Sequence, residues 1–120
     1  MRATEASPLS VPVYQILLSL SDRALHGYAI LKDIRERTGN KVVLAAGTLY
    51  AAIGRLEEQG WIEEAPDPPA DEAEDPRRRY FRITDAGLAA ARHEAERLRW
   101  FARMAEDKEL LGKAAREGGE

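Results

Sequence analysis

The chain has 120 residues and a formal net charge of −3, and its 44% hydrophobic and 32% charged residues suit one soluble globular domain. It contains no cysteine, and its longest apolar run, Val42 to Ala46, is far shorter than the roughly 20 residues of a membrane span. These features exclude disulfides, thiolate metal sites and cysteine nucleophiles, and we expect a cytoplasmic protein with neither a signal peptide nor a membrane partner.

Three amphipathic helices are predicted in the first half of the chain. Residues 1–8 are polar and should form a disordered N-terminus, and a first helix follows over residues 9–20. A second helix is predicted from about His26 to Thr38, and a third from about Ala46 to Gln59, each followed by glycine at its C-terminal end. The apolar residues at helical spacing are Val13, Ile16, Leu17, Leu20, Ala29 or Ile30, Leu31, Ile34, Leu49, Ile53 and Leu56.

Two antiparallel strands are predicted after the third helix. The first covers Trp61 to Glu64, and the second covers Arg78 to Thr84, with Phe81 and Ile83 on one face and Arg78, Tyr80 and Arg82 on the other. Residues 65–76 between them contain four prolines and five acidic residues, a composition typical of an exposed loop.

A long last helix is predicted from Asp85 to beyond Leu110, with Thr84 as its N-cap and residues 112–120 as a flexible tail. A seam of mostly small residues repeats along it at heptad spacing: Leu88, Ala91, Ala95, Leu98, Ala102 and Ala105. We expect this seam to form a homodimer, because alanines let two helices approach closely; packing on its own domain is the alternative.

The order of these elements predicts a mainly α fold with a small β-hairpin. Three helices and a two-stranded wing form a winged helix-turn-helix over residues 9–84, and residues 85–111 form a C-terminal dimerisation helix. In such a fold the third helix is the candidate recognition helix.

Several short motifs resemble the PadR family of bacterial transcriptional regulators, in order and in spacing. They are Leu25-His26-Gly27-Tyr28-Ala29-Ile30, Gly47-Thr48-Leu49-Tyr50, Arg55-Leu56-Glu57, Gly60-Trp61-Ile62, and Arg77 to Thr84 with Asp85-Ala86-Gly87 after it. The resemblance spans about Val11 to Leu98 and implies a dimeric DNA-binding regulator like the family's short members, whose single last helix dimerises. Ala45 and Ala46 replace the family's usual Ser-Pro pair, and Ala51 replaces a frequent proline, which bears on the bases that are read.

The exposed face of the third helix is predicted to enter the major groove of DNA. Small residues at Gly47, Ala51 and Gly54 would let the backbone sit deep in a groove about 12 Å wide, flanked by Thr48, Tyr50 and Arg55. Arg55 can be bidentate to guanine, and Thr48 can bond a phosphate near the helix N-terminus. The plainer interpretation is a solvated face in which Arg55 pairs with a nearby glutamate.

The hairpin is the second predicted DNA contact. Arg77, Arg78 and Arg79 can lie along a phosphate backbone or enter a minor groove, although they could also simply neutralise the five acids before them. Lys41, in the turn before the third helix, is a further phosphate candidate. The net charge by itself argues mildly against a nucleic-acid partner, but a local basic spot can exist on an acidic protein, and the composition leaves the question open.

A dimer would bring two recognition helices to half-sites about 34 Å apart, which predicts a pseudo-palindromic double-stranded operator; a tetramer also remains open. In similar regulators the space near the last helices admits flat aromatic or lipophilic effectors. We therefore predict that Trp100, Phe101 and Met104 line an effector pocket, with ordinary packing at the dimer interface as the alternative.

No catalytic constellation is visible, and we expect neither an enzyme nor a metal or other cofactor. His26 and His93 lack metal-ligand spacing, and the better role for His26 is to cap the second helix. The leading interpretation is a repressor that a small molecule releases from DNA. The alternative is a winged-helix module that binds proteins and has lost DNA binding.

Overall fold

The computed structural model describes residues 8–66 and 78–112. The predicted disordered residues 1–7, most of the acidic loop with Arg77, and the tail after residue 112 therefore lie outside the described residues. The described elements are α1 (Val11–Ser19), β1 (Leu25–His26), α2 (Gly27–Arg37), α3 (Ala46–Gln59), β2 (Ile62–Glu64), β3 (Tyr80–Ile83) and α4 (Asp85–Asp107).

The predicted helix ends are confirmed where a capping residue in the sequence marked them. His26 caps α2, because its Nδ1 accepts a hydrogen bond from the backbone N–H of Ala29 at 3.2 Å. Thr84 caps α4 in the same way, with its Oγ1 accepting from the N–H of Gly87 at 3.1 Å. Gly60 ends α3 in the left-handed region at φ 79°, whereas Ala45 gives α3 no side-chain cap.

The sheet has a third strand that the sequence did not predict. β3 lies between β1 and β2 and is antiparallel to both, with His26 opposite Tyr80 and Ile62 opposite Ile83. The His26 ring contacts the Tyr80 ring edge-on, with centroids 5.3 Å apart. Tyr80, predicted to share the outer face with two arginines, is therefore buried like its neighbour Phe81.

The core lies between the first three helices and the sheet. Its largest fully buried side chains are Ile16, Leu17, Leu20, Ile30, Ile34, Leu49, Ile53, Leu56, Ile62, Tyr80 and Phe81. Burial of each such aliphatic or aromatic side chain contributes about 1.5–3 kcal/mol to the free energy of folding. Only one face of α3 packs against this core.

The last helix differs from its prediction in length and in packing. It ends at Asp107 rather than beyond Leu110, because Glu109 takes a left-handed φ of 64° and Leu110 N–H bonds back to the Ala105 carbonyl. Its first half lies on its own domain, where Ala91 belongs to the core. Among the other predicted seam positions, Leu88 and Ala105 are half-buried, and the exposed ones are Ala95, Leu98 and Ala102.

Candidate nucleic-acid interface

The exposed face of α3 is smooth. Gly47 and Ala51 are exposed and Gly54 is half-buried, and a Cβ built on either glycine would meet nothing within 4 Å outside its own helix. A glycine in a helix interior costs up to about 1 kcal/mol relative to alanine, and no packing contact in the described residues calls for a glycine at either position. Glu58, one turn beyond Gly54, is exposed on the same row and was not singled out by sequence reasoning.

One flank of α3 faces the sheet and the start of α2. Tyr50 is 52% exposed, and its ring lies so close to Gly27 that a side chain at that glycine would overlap the Tyr50 hydroxyl. Tyr28, which is 62% exposed, stacks on His26 with ring centroids 6.4 Å apart. The structure therefore joins Tyr50 to the His-Gly-Tyr motif, a contact that no spacing along the chain reveals.

The other flank of α3 faces α1 and α4. Arg55 is exposed and lines a cavity together with Gln59 and His93. Thr48 is exposed near the N-terminus of α3, and Lys41 is exposed in the connection before it. The side of α3 that is turned away from the core thus carries all four predicted DNA-contact residues of this helix: Thr48, Tyr50, Ala51 and Arg55.

The described arginines at the start of the wing, Arg78 and Arg79, contact α3 and the sheet. Nη1 of Arg78 lies 3.0 Å from Nε2 of His26. Arg79 donates from Nε to Glu64 at 3.1 Å and from Nη2 to Glu57 at 3.0 Å, and its guanidinium lies 5.0 Å from the Phe81 ring centroid. Among the described residues, Arg79 pairs with Glu57 of α3 and Glu64 of β2. The predicted pairing of the arginines with the acidic loop lies outside the described residues and stays a prediction.

The Arg79–Glu64 pair is exposed, with 54% and 53% of the two side chains accessible, and the Glu57 side chain keeps 30%. Exposed pairs of this kind contribute about 0–1 kcal/mol, so a phosphate can compete for the same guanidinium. Because Arg79 also joins Glu57 to Glu64, it ties the wing to α3.

The predicted effector trio lies on the surface of α4. Trp100, Phe101 and Met104 are 46%, 45% and 43% exposed, and the Trp100 and Phe101 ring centroids are 5.3 Å apart. Trp100 lines a shallow hollow with Glu96, Arg99 and Arg103, and neither Phe101 nor Met104 contributes to it. In the described part of one protomer all three side chains are exposed, and the predicted effector pocket stays a prediction.

Among residues 8–66 and 78–112, no three His, Cys, Asp or Glu side chains are grouped so as to hold a metal ion. No helix in those ranges has the length and apolar character needed to cross a membrane.

The sequence model of the "Transcriptional regulator PadR-like family" matches residues 16–93. The chain belongs to the PadR-like family. A transcriptional regulator from Clostridium thermocellum has a structure similar to this PadR-like chain, at a TM-score of 0.67 and 30% identity, over 80% of this chain and 87% of that one. A PadR family regulator from Clostridium difficile gives a TM-score of 0.69 at 24% identity, over 86% of this chain and 100% of that one.

The curated relatives match this PadR-like chain over part of their length. It is 35% identical to protein X of Lysinibacillus sphaericus over 62% of this chain and 65% of that one. A 37.1 kDa protein in transposon TN4556 of Streptomyces fradiae is 35% identical over 79% of this chain, which spans 23% of that protein. The family and the winged-helix fold with its long C-terminal helix, expected from the motifs, are confirmed.

Proposed function

We propose that this PadR-like regulator binds a pseudo-palindromic DNA site as a homodimer and represses transcription until a small molecule releases it. The observation that carries the DNA-binding part is the smooth face of α3, where two glycines lie in a helix that has no structural need of them.

A helix enters the major groove most deeply when the residues facing the bases are small. Gly47, Ala51 and Gly54 provide such a face, and a bound duplex would account for glycines that otherwise cost helix stability. The side chains flanking this face supply polar contacts: Thr48 toward a phosphate, and Tyr50 and Arg55 toward base edges or phosphates.

The wing supplies the second contact in this proposal. Arg78 and Arg79 stand at its base. Arg77, outside the described residues, and Lys41, exposed before α3, are further phosphate contacts in this proposal. Phosphate would replace Glu64 and compete with Glu57 as partner of Arg79; the Arg79–Glu64 pair is exposed and contributes little stability that the exchange would lose. Glu58, in contrast, would disfavour a phosphate and could accept a hydrogen bond from a cytosine amino group.

The dimer would form along the second half of α4. Leu98 and Phe101 occupy the same helix face as Ala91 and Glu94, seven residues further on, but are 41% and 45% exposed instead of buried. This face of α4 is buried in the first half of the helix and exposed in the second half. The same helix of a second copy of the chain could cover the exposed part. Ala102 and Ala105 would let the two helices approach closely.

The first experiment is binding to the DNA upstream of the protein's own gene, against a scrambled fragment, at two salt concentrations. We expect specific binding that weakens with salt, with a slope of about −0.9 for each phosphate contacted. Arg55→Ala and Arg78→Ala should each weaken binding about tenfold or more, whereas Arg103→Ala, on the exposed far half of α4, should not.

The alternative is a protein-interaction module, which the net charge of −3 and the exposed Glu58 favour. Unchanged binding in both the Arg55 and Arg78 variants would contradict the recognition-helix and wing model. A folded dimer that binds neither fragment at either salt concentration would favour the interaction module.

A further inference from the structure

The wing hollow, of about 350 Å³, lies between the start of α2, the flank of α3 that carries Tyr50, and the start of the wing. Aromatic and cationic side chains line it together with one glycine: His26, Gly27, Tyr28, Tyr50, Arg78, Arg79 and Phe81. Within residues 8–66 and 78–112, no carboxylate belongs to this lining. The charge and the hydrogen-bond donors of the hollow therefore favour an anion.

Two tyrosines bring neutral donors to the hollow. Gly27 leaves the space that the Tyr50 hydroxyl occupies, because a Cβ at this glycine would overlap that hydroxyl. The ring of Tyr28 stacks on the His26 ring, which is itself only 7% exposed and forms the floor. Packing thus holds each tyrosine on one side, while Tyr28 and Tyr50 remain 62% and 52% exposed. A phenolic O–H held in this way can donate to an anion at a small cost in side-chain entropy.

The imidazole of His26 sets the chemistry of the neighbouring arginine. His26 Nδ1 accepts from the Ala29 N–H at 3.2 Å, so the neutral ring carries its proton on Nε2. Arg78 Nη1 lies 3.0 Å from this Nε2, and two donors cannot form a hydrogen bond with each other. Arg78 therefore directs its N–H groups to acceptors other than the imidazole. A phosphate oxygen suits it, because guanidinium and phosphate form charge-assisted hydrogen bonds.

The position of the hollow decides which phosphate can reach it. A sugar-phosphate strand separates the major groove of a DNA duplex from the minor groove beside it. If α3 enters the major groove and the wing contacts the adjacent minor groove, this strand must pass between them. The wing hollow lies there, between α3 and the start of the wing.

We propose that the wing hollow binds one phosphate group of the DNA backbone, with Tyr28, Tyr50 and Arg78 as its donors. This inference rests on the proposed function and adds Tyr28 to the DNA interface. It also assigns Tyr50 to a phosphate rather than to a base edge. Because phosphate contacts carry no sequence information, the hollow contributes equally to binding of any duplex.

Removal of single donors tests the assignment in the full chain. Tyr28→Phe and Tyr50→Phe each delete one hydroxyl and should weaken binding about tenfold, by the same factor for the specific and the scrambled fragment. Arg78→Met should reduce the salt slope of binding by about one. Two matched controls outside the hollow, Tyr14→Phe on α1 and Arg99→Met on α4, should leave affinity and slope unchanged.

A neutral methylphosphonate, placed at one backbone position of the fragment at a time, locates the phosphate. One position should weaken binding by the wild-type chain but hardly affect binding by Arg78→Met, since that variant has already lost the contact. Unchanged DNA binding in both tyrosine variants would overturn the site. A loss confined to the specific fragment would also overturn it, because it would place these side chains on base edges.

Inorganic phosphate tests the hollow if the chain binds no DNA. In NMR titrations at millimolar phosphate, the amide resonances of Gly27 and Tyr28 should shift in the wild-type chain and not in Arg78→Met. The amide of Glu96, far along α4, should not shift. Such shifts without DNA binding would uphold an anion site and refute the proposed function alone. Neither shifts nor DNA binding would refute both.

Discussion

Two helical glycines are under opposite constraints in this molecule. Gly87, in the first turn of α4, is buried so tightly that a Cβ would overlap the Trp61 carbonyl oxygen and lie 2.9 Å from the Ile83 side chain. Gly54, on the smooth face of α3, has open space around it. Packing therefore explains Gly87, whereas no packing contact of the described residues calls for a glycine at position 54.

Replacing each glycine by alanine separates these two roles. Gly54→Ala should raise the free energy of unfolding by up to about 1 kcal/mol, because alanine is the better helix former, and should weaken specific DNA binding. Gly87→Ala should lower the free energy of unfolding by about 1–3 kcal/mol through overpacking. Urea denaturation and DNA titration of both variants check this; a Gly54→Ala protein with undiminished DNA affinity would contradict the interface.

At the scale of elements, polar contacts decide how α1, α4 and the sheet are joined. His26 belongs to β1 and also caps α2, so one side chain connects the sheet to the helix-turn-helix. The sequence analysis missed strand β1, because two residues are too few to show the apolar–polar alternation of a strand. Its pairing partner, β3, lies more than 50 positions further along the chain. Glu94 joins α4 to the start of α1 by accepting from the Leu9 N–H.

The Glu94–Arg97 pair makes stability depend on pH. Since the pKa of Glu94 is lower in the folded protein, its contribution is fully present above the usual glutamate value of about 4.3 and is lost as the pH falls through the lowered value. Glu94→Gln should lower the free energy of unfolding at pH 7 by roughly 2 kcal/mol and flatten its decline below pH 4.3.

A matched control is available on the same helix. Glu96 and Arg99 have the same spacing as Glu94 and Arg97, but their side chains are 67% and 64% exposed. Glu96→Gln should therefore lower the free energy of unfolding at pH 7 by less than about 1 kcal/mol. An equal effect of both substitutions would show that burial of Glu94 is not the cause.

At the scale of the whole molecule, α4 has two halves with different surroundings. Its first half packs on α1 and β3 of its own domain, through Gly87 and Ala91. Its second half keeps Leu98, Phe101 and Met104 exposed, an apolar surface that a single copy of the described chain does not cover. Of the predicted dimer seam, Ala91 is covered by the chain's own domain and Leu98 in the second half is left exposed; the dimer itself stays a prediction.

Leu98→Asp should convert the dimer into monomers, because it would place a charge in the proposed apolar contact. Arg103→Asp, which changes a side chain in the polar hollow beside Trp100, should leave the dimer intact. Sedimentation equilibrium measures both. A Leu98→Asp protein that remains dimeric would place the dimer contact elsewhere.

The sequence by itself determined the helices, the hairpin, the caps and the family, because these depend on local spacing and on side chains that act within a few residues. Only the tertiary structure decided several features. They are the contact of the Tyr50 ring with Gly27, the ion pairs of Arg79 with Glu57 and Glu64, the burial of Tyr80, and the cavity beside His93. Each of these contacts joins segments far apart in the chain, and periodicity carries no information on which segments meet. The same reason separates the two halves of α4: one heptad pattern runs through both, but only packing decides which part the domain covers.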